Sequence, residues 1–276
     1  MSKIKIVTDS TAYITKEYAE RENITIVPLN YVFGEETGKD PFPGEFDEFY
    51  NKLENTKLFP STSQPAVGEF LDAFNKAFSE GYDEIIAILL SSKLSGTFNS
   101  AMLAKDMLEY KKITIIDSLT TVSNMKFLVE DAVEMVKQGK TSDDIEIYLN
   151  TKKTNINIYL TTDTLEYLRR GGRLSTVQAT LGNLLNIKPI IELKDGELKL
   201  LEKLRGRNKV ISAIIDRIPS NVNKIGICHV LNKEDAEKIK DLLKEKFPDA
   251  IIIIIDELGP VIGSHLGPKG IGVCFY

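Results

Sequence analysis

Short apolar runs alternate with amphipathic stretches through the first half of the chain. The run at residues 83–90 is too continuous for a half-exposed strand, so it predicts a buried strand of a parallel sheet. Similar runs at residues 3–9, 24–33 and 112–117 predict further strands, with an edge or a break at Pro28. Amphipathic periodicity predicts helices at residues 16–22, 46–53, 66–80, 98–108, 119–138 and 141–150. Strands that alternate with helices in this way predict a doubly wound parallel sheet.

The pattern changes after residues 151–155, a polar stretch that we take as the domain boundary. Asp195 and Gly196 separate two apolar segments, and this dipeptide favours a tight β-hairpin over residues 189–201. Further strands are predicted at residues 156–161, 225–230, 250–256 and the C-terminus, and helices at residues 165–173, 176–185, 210–218 and 235–247. We therefore expect residues 1–153 to form a parallel-sheet α/β domain and residues 154–276 a smaller α/β domain with a mixed sheet.

Two segments rich in glycine and proline follow neither pattern. Residues 34–44 predict a surface loop, and residues 259–272 predict an irregular backbone of a specific shape. His265, one of two histidines in the chain, lies at the centre of the second segment. It is a better functional candidate than His229, which lies in a predicted strand, although a single loop histidine is often a plain hydrogen-bonding residue.

The turn at residues 91–97 (SSKLSGT) connects the buried strand to a helix whose apolar stripe includes Phe98, Met102 and Met107. Free N–H groups at a helix start, together with four hydroxyl groups, favour an anion-binding site at the carboxyl end of the strand. Helix capping by serine or threonine is the simpler alternative. Residues 60–65 (PSTSQP) also precede a predicted helix, and Ser63 or Thr62 can cap it, which is the simpler explanation of these hydroxyl groups. The alternative is that the two hydroxyl-rich segments converge on one ligand.

The charge balance is nearly even, with 35 basic and 40 acidic residues and a formal net charge of −5, so it indicates no nucleic-acid surface. The longest apolar run, at residues 250–255, is far too short to span a bilayer, and the N-terminus lacks the pattern of a signal peptide. Cys228 and Cys274 lie in apolar runs without CxxC spacing, which is typical of small buried hydrophobic residues; a disulfide between them stays open. We expect a cytoplasmic protein with no transmembrane segment.

Motifs for nucleotide and metal binding are missing from the sequence. It contains no GxxxxGK(S/T) loop, no GxGxxG after a strand, no HExxH and no paired cysteines, so we expect no nucleotide site, metal or other cofactor. Ser95, Asp117 and His265 are candidates for a hydrolase triad, but the chain has no GxSxG nucleophile elbow. A Ser95-dependent acyl hydrolase is therefore the alternative function.

Five segments, spread over the whole chain and in the same order, resemble the motifs of the DegV family. They are residues 5–12 (KIVTDSTA), 62–65 (TSQP), 91–97 (SSKLSGT), 165–173 (LEYLRRGGR) and 259–268 (GPVIGSHLGP). Members of this bacterial family bind fatty acids and serve as the lipid-binding subunit of fatty acid kinase. The resemblance implies a two-domain α/β protein with one acyl chain buried in a tunnel.

The resemblance also implies roles for individual residues within these motifs. It implies that Thr62 and Ser95 hold the fatty-acid carboxylate and that His265 lies near the same head group. Lys93 departs from the family pattern, in which small residues are frequent at that position, so the rim of the pocket differs here.

The implied function is to bind a long-chain fatty acid and present its carboxylate to a separate ATP-dependent fatty acid kinase. The chain would then carry the acyl phosphate toward phospholipid synthesis, and it would not itself be an enzyme. Arg170, Arg173 and Arg205 are candidates for contact with the kinase or the phosphate, with helix capping and solvated charge as the simpler alternative. Transient membrane contact is compatible with this function. A structural or regulatory protein without a ligand is a third alternative.

Overall fold

The computed structural model describes residues 2–109, 111–173, 187–255 and 257–276. The first half of the chain folds into the following elements in order: β1 Ile4–Asp9, α1 Lys16–Arg21, β2 Thr25–Val27, β3 Asn30–Phe33, β4 Glu36–Lys39, α2 Asp47–Glu54, β5 Ser61–Ser63, α3 Val67–Ser79, β6 Glu84–Leu89, α4 Thr97–Asp106, β7 Lys112–Asp117, α5 Val122–Lys137 and α6 Ser142–Lys152.

A four-stranded parallel sheet in the order β2-β1-β6-β7 forms the centre of this half. Side chains of β6 alternate between its faces, so Ile86 packs in one cluster with Leu128 of α5 while Ile85 packs in another with Phe70 of α3. Helices cover both faces, which explains why the strand is apolar throughout. The predicted doubly wound sheet is therefore confirmed.

The second half of the chain begins with β8 Asn157–Thr161, α7 Glu166–Arg170, β9 Ile187–Lys194, β10 Glu197–Arg205, α8 Arg207–Asp216 and β11 Lys224–His229. It ends with α9 Lys233–Lys246, β12 Ile251–Ile255, α10 Pro260–Leu266 and β13 Ile271–Phe275. The helix predicted at residues 176–185 lies outside the described residues.

A six-stranded sheet in the order β10-β9-β8-β13-β11-β12 organises this half. Its neighbours are antiparallel except for the parallel pair β11–β12, so the predicted mixed sheet is confirmed. The predicted hairpin joins β9 to β10, and both turn residues, Asp195 and Gly196, have positive φ, as a type I′ turn requires. The domain boundary at residue 153 stays a prediction.

A third, three-stranded sheet in the order β4-β3-β5 corrects three expectations. The expected strand at residues 24–33 is two strands in different sheets, because Pro28 has no N–H to donate and the chain leaves the first sheet there. The expected loop at residues 34–44 contains β4. The hydroxyl-rich segment before α3 forms β5 and does not cap the helix, whose N-cap residue is Ala66.

Two helices also differ from expectation. The segment 259–272 contains α10, which begins at Pro260, where a missing N–H costs no intrahelical bond, and ends before Gly267 at φ +75°. The buried face of α4 consists of the small residues Thr97, Ser100, Ala101 and Ala104. Met107, expected in an apolar stripe, is exposed. Small side chains allow α4 to pack closely, but they leave no periodic apolar pattern in the sequence from which this buried face could be predicted.

Helix α5 lies between the two larger sheets. Leu128 and Val129 face the parallel sheet, while Ser123 contacts Gly226 and Cys228 of β11. Gly226 is required for this approach, because a Cβ there would overlap the side chain of Ser123. The contact between α5 and β11 thus fixes the distance between the sheets.

Gly226→Ala should lower the free energy of unfolding by about 1–3 kcal/mol, because the added methyl group overpacks the contact with Ser123. Urea unfolding monitored by circular dichroism measures this change. Gly68→Ala is the matched control, since nothing lies within 4 Å of a Cβ at that exposed position of α3. A loss of stability in the control as large as in Gly226→Ala would contradict the packing explanation.

Candidate functional site

A mainly apolar cavity lies beside the carboxyl end of β6 and against the six-stranded sheet. Side chains of the six-stranded sheet, of α10, of the turn after β6 and of the start of α5 line it, among them Leu90, Leu94, Val122, Ile158, Leu160, Leu193, Cys228, Val261, Ile262 and Leu266. The polar side chains in its lining are Thr62, Ser95, Thr121, Arg173 and His265. The fold therefore brings Thr62, Ser95 and His265, which are far apart in sequence, to one cavity.

His265 of α10 and Thr62 of β5 share a hydrogen bond of 2.7 Å between Nε2 and Oγ1. The backbone of Gly171 packs so closely against the imidazole that a Cβ there would overlap Nδ1. Burial, and to a smaller extent the positive charge of Arg173, lowers the pKa of His265 to about 4. The imidazole is therefore neutral at physiological pH.

Nδ1 of this ring is buried and has no hydrogen-bond partner among the described residues. A neutral ring beside the Thr62 hydroxyl offers hydrogen bonding without a permanent charge.

Ser95 lies in the turn between β6 and α4. Its Oγ is 2.9 Å from Oγ1 of Thr97 and accepts a 3.3 Å hydrogen bond from the Thr97 N–H, so part of its role is local turn formation. Gly96, the N-cap residue, provides no side-chain cap to α4. A Cβ at Gly96 would lie 3.0 Å from the side chain of Gln64, so the two hydroxyl-rich segments are in contact.

The other serines of this turn have structural partners. Oγ of Ser91 donates to the carbonyl of Gly196 at the tip of the β9–β10 hairpin, at 2.9 Å. Oγ of Ser92 donates to Asp117 at 2.5 Å. An ion pair of 3.0 Å between Lys93 and Glu197 adds a second link from the turn to the hairpin. These contacts hold the turn against the hairpin and Asp117 next to Ser95.

The three candidate arginines do not form one cluster. Arg173 lines the cavity, donates from Nε to the carbonyl of Leu94 at 3.0 Å, and has a pKa lowered by burial. The guanidinium of Arg170 pairs with Glu166 and lies 3.9 Å from the centre of the Phe59 ring. Arg205 is exposed at the end of β10. The inward position of Arg173 was not evident from the sequence, because it depends on how α7 packs against the turn at Leu94.

The geometry gives no support to the alternative triad. Asp117 accepts hydrogen bonds from Ser92 and from the N–H of Leu119, while His265 is bonded to Thr62.

Metal-binding clusters and membrane-spanning helices are separate questions. In the part of the chain that the structure describes, no group of three or more His, Cys, Asp and Glu residues could hold a metal ion. Nor is any helix among the described residues long and apolar enough to cross a membrane.

Comparison with known families matches residues 3–276 to the family model DegV, which is described as an uncharacterised protein family. The chain belongs to the DegV family. It is 36% identical to Protein DegV of Bacillus subtilis over 278 residues, which cover 99% of this chain and 98% of that protein. A relative from Halalkalibacterium halodurans, a DegV domain-containing protein, is also 36% identical and is covered over 99% of its length.

Solved DegV structures have the same fold. The crystal structure of the fatty acid binding protein DegV from Bacillus subtilis matches with a TM-score of 0.89 and 36% identity, over 100% of this chain and 99% of that one. A stearic acid-binding protein from Eubacterium ventriosum matches with a TM-score of 0.87 and 28% identity, over 100% and 98%. Fatty-acid binding is thus a property of DegV proteins with this fold.

The His265 imidazole should stay neutral far below its ordinary pKa of about 6.5, because the cavity wall desolvates it and Arg173 repels a proton. We expect its ring ¹⁵N shifts to remain those of a neutral imidazole down to about pH 5, with protonation near pH 4. Two-dimensional ¹H–¹⁵N NMR of the two histidines measures this, and His265→Gln assigns the signals. A midpoint near the ordinary value would show that the ring is open to water.

Proposed function

We propose that this chain binds one long-chain fatty acid, with the acyl chain in the cavity and the carboxylate against Thr62, Ser95 and His265. The observation that carries the proposal is the combination of a mainly apolar lining with these three polar side chains in one cavity. DegV relatives of the same fold that bind fatty acids support it.

Burial of the acyl chain supplies the binding free energy. At ~0.8 kcal/mol per buried CH₂, a chain of roughly 16 carbons contributes about 12 kcal/mol before the cost of immobilising the ligand. The carboxylate must keep hydrogen bonds when it leaves water, since an unpaired buried charge costs several kcal/mol. Hydroxyl groups and the free N–H groups at the start of α4 can supply those hydrogen bonds.

The neutral partners also suit a carboxylate that has to react. An ion pair with Lys or Arg would hold the carboxylate more firmly but reduce its reactivity as a nucleophile. Hydrogen bonds from Thr62, Ser95 and a neutral His265 leave it able to attack a phosphoryl donor. Arg173, also in the lining, donates to the Leu94 carbonyl and contributes positive potential near the cavity.

The proposal extends to a separate ATP-dependent fatty acid kinase as partner. A carboxylate oxygen of the bound fatty acid would attack the γ-phosphorus of ATP on the kinase, the bond to ADP would break, and this chain would carry the acyl phosphate. The chain itself would be a carrier and not the enzyme. Arg170 and Arg205, on the outer surface, are the candidate contacts for the kinase, while Arg173 at the cavity would meet the phosphoryl group.

Ser95→Ala should weaken fatty-acid binding by about 1.5–3 kcal/mol, the cost of one hydrogen bond to a charged group. Thr62→Ala should have a similar effect, and the double variant should be non-additive if both hydroxyls bind one carboxylate. Titration calorimetry with delipidated protein measures the affinities, and native mass spectrometry of the purified wild type shows whether one fatty acid is bound.

Ser79→Ala is a control, since this exposed hydroxyl on α3 bonds its own helix. Wild-type protein that neither retains nor binds a fatty acid would overturn the proposal. Unchanged affinity in both cavity variants would place the carboxylate elsewhere. Stoichiometric labelling of Ser95 by a fluorophosphonate probe would favour the acyl hydrolase instead.

Arg205→Glu should reduce phosphorylation of the bound fatty acid by the kinase and make the reaction more sensitive to salt, because a charge at a docking surface acts on association. Fatty-acid affinity should be unchanged, since Arg205 is exposed at the end of β10. Phosphoryl transfer from ATP and fatty-acid titration are measured on the same preparations. Arg21→Glu on α1 is the charge-matched control, and an equal loss of phosphorylation in it would argue against docking at Arg205.

A further inference from the structure

Helix α10 places His265 and a large part of the cavity wall. Val261, Ile262 and Leu266 line the cavity from the same seven-residue helix. Its N-cap residue, Gly259, has no side chain to cap the helix start. The position of His265 therefore depends on groups from other elements that hold α10.

Asp40, directly after β4, is one of these groups. Its side chain is 4% exposed, and its Oδ1 accepts a 3.1 Å hydrogen bond from the N–H of Val261 in the first turn of α10. A Cβ at Gly259 would lie 2.9 Å from the same Oδ1, so the helix start lies close against the carboxylate. The hydroxyl of Tyr50 donates to the carbonyl of Leu258 just before the helix.

The three-stranded sheet connects Asp40 to Thr62. Asn30 of β3 pairs with Lys39 of β4 on one side and with Ser63 of β5 on the other. Asp40 follows Lys39 directly, and Thr62 is paired with Tyr31, the residue after Asn30, so both partners of α10 lie within one residue of the same row of the sheet. One small sheet thus holds the start of α10 through Asp40 and its last turn through the bond between Thr62 and His265.

The second carboxylate oxygen of Asp40 is buried and makes no well-formed hydrogen bond among the described residues, although the Ser10 hydroxyl interacts with this carboxylate. Buried carboxylates usually have both oxygens satisfied, because the charge is otherwise costly. Burial raises the pKa of Asp40 to about 7, against the lowering effects of the hydrogen bonds from Val261 and Ser10, and the charge of Asp9 raises it further. The charge of Asp40 therefore changes near neutral pH.

We propose that Asp40 is a positioning residue for the fatty-acid head group: it caps α10, sets the place of His265, and makes fatty-acid affinity depend on its own ionisation. The ionised carboxylate accepts the Val261 N–H more strongly than the protonated form does. Affinity should thus fall as pH decreases through about 7. The proposal rests on fatty-acid binding in this cavity.

Several other titratable groups surround Asp40. Burial raises the pKa of Asp9, the last residue of β1, to about 6, and it raises the pKa values of Tyr13 and Tyr50 above their ordinary range, so both tyrosines stay neutral. His265, at the other end of α10, has a pKa of about 4. Lys39 pairs with Glu69, and Glu257 precedes the start of α10.

The test compares wild type with Asp40→Asn and Asp40→Ala over about pH 6 to 8.5, with a saturated long-chain fatty acid as the probe. Protonation of the fatty acid itself affects all variants alike. The informative quantity is therefore the ratio of the variant's dissociation constant to that of the wild type at each pH. Asparagine can still accept the Val261 N–H but has no charge to lose. We expect the affinity of the wild type relative to Asp40→Asn to increase about fivefold from the acid end to the alkaline end of this range. The reason is that a charged hydrogen bond then replaces a neutral one.

Asp40→Ala should bind more weakly than Asp40→Asn at every pH, because it leaves the Val261 N–H without its acceptor. Asp47→Asn at the exposed start of α2 is the control and should match wild type throughout. A wild-type to Asp40→Asn ratio that does not change with pH would overturn the role of ionisation. Wild-type affinity in Asp40→Ala would overturn the positioning role.

The Val261 amide gives a readout that needs no ligand. Its ¹H shift should change with a midpoint near pH 7 in wild type and show no such step in Asp40→Asn. The same spectra show whether each variant is folded. Failure of the wild type to bind a fatty acid would reject the proposed function, whereas a flat Val261 titration would reject the ionisation of Asp40, so the two failures are distinguishable.

Discussion

The hydrogen bond between Thr62 and His265 joins residues that are 203 positions apart, and the candidate site depends on it. Thr62 belongs to a small sheet in the first half of the chain, and His265 belongs to a helix near the C-terminus. Their contact places polar atoms in the lining of a mainly apolar cavity. Without it, α10 would lose the bond that holds its last turn, and Thr62 and His265 would lose their fixed positions in the cavity lining.

Neutrality is the second feature that defines this site. Burial keeps His265 uncharged, and Thr62 and Ser95 are hydroxyl residues, so the three proposed partners of a ligand carboxylate carry no charge. Arg173, the charged side chain of the same lining, donates to the Leu94 carbonyl. In the proposed function, the acyl chain would contribute most of the binding free energy and the head group would contribute orientation. This division suits a carrier that must hold its ligand firmly and still let the carboxylate react.

The hydroxyl-rich turn after β6 makes several structural contacts and also contributes a side chain to the cavity. Ser91 and Ser92 hold the hairpin tip and Asp117, which are contacts of the fold. Ser95 faces the cavity while it also supports the start of α4 through Thr97. Ser95 therefore combines a local structural contact with the position in the cavity on which the proposed carboxylate binding depends, whereas Ser91 and Ser92 bond other parts of the fold.

The sequence by itself determined the parallel sheet, the hairpin at Asp195 and Gly196, and the motifs that contain Thr62, Ser95 and His265, because local periodicity, turn residues and spacing are written along the chain. Tertiary structure decided what has no local signal. β5 is three residues of serine and threonine that pair with a distant strand, and α10 is a short helix of Gly and Pro-rich sequence held by Asp40. Arg173 and Arg205 look alike in sequence, yet packing turns one into the cavity and leaves the other exposed. Such placements arise from contacts between residues far apart in the chain, which no pattern of neighbouring residues contains.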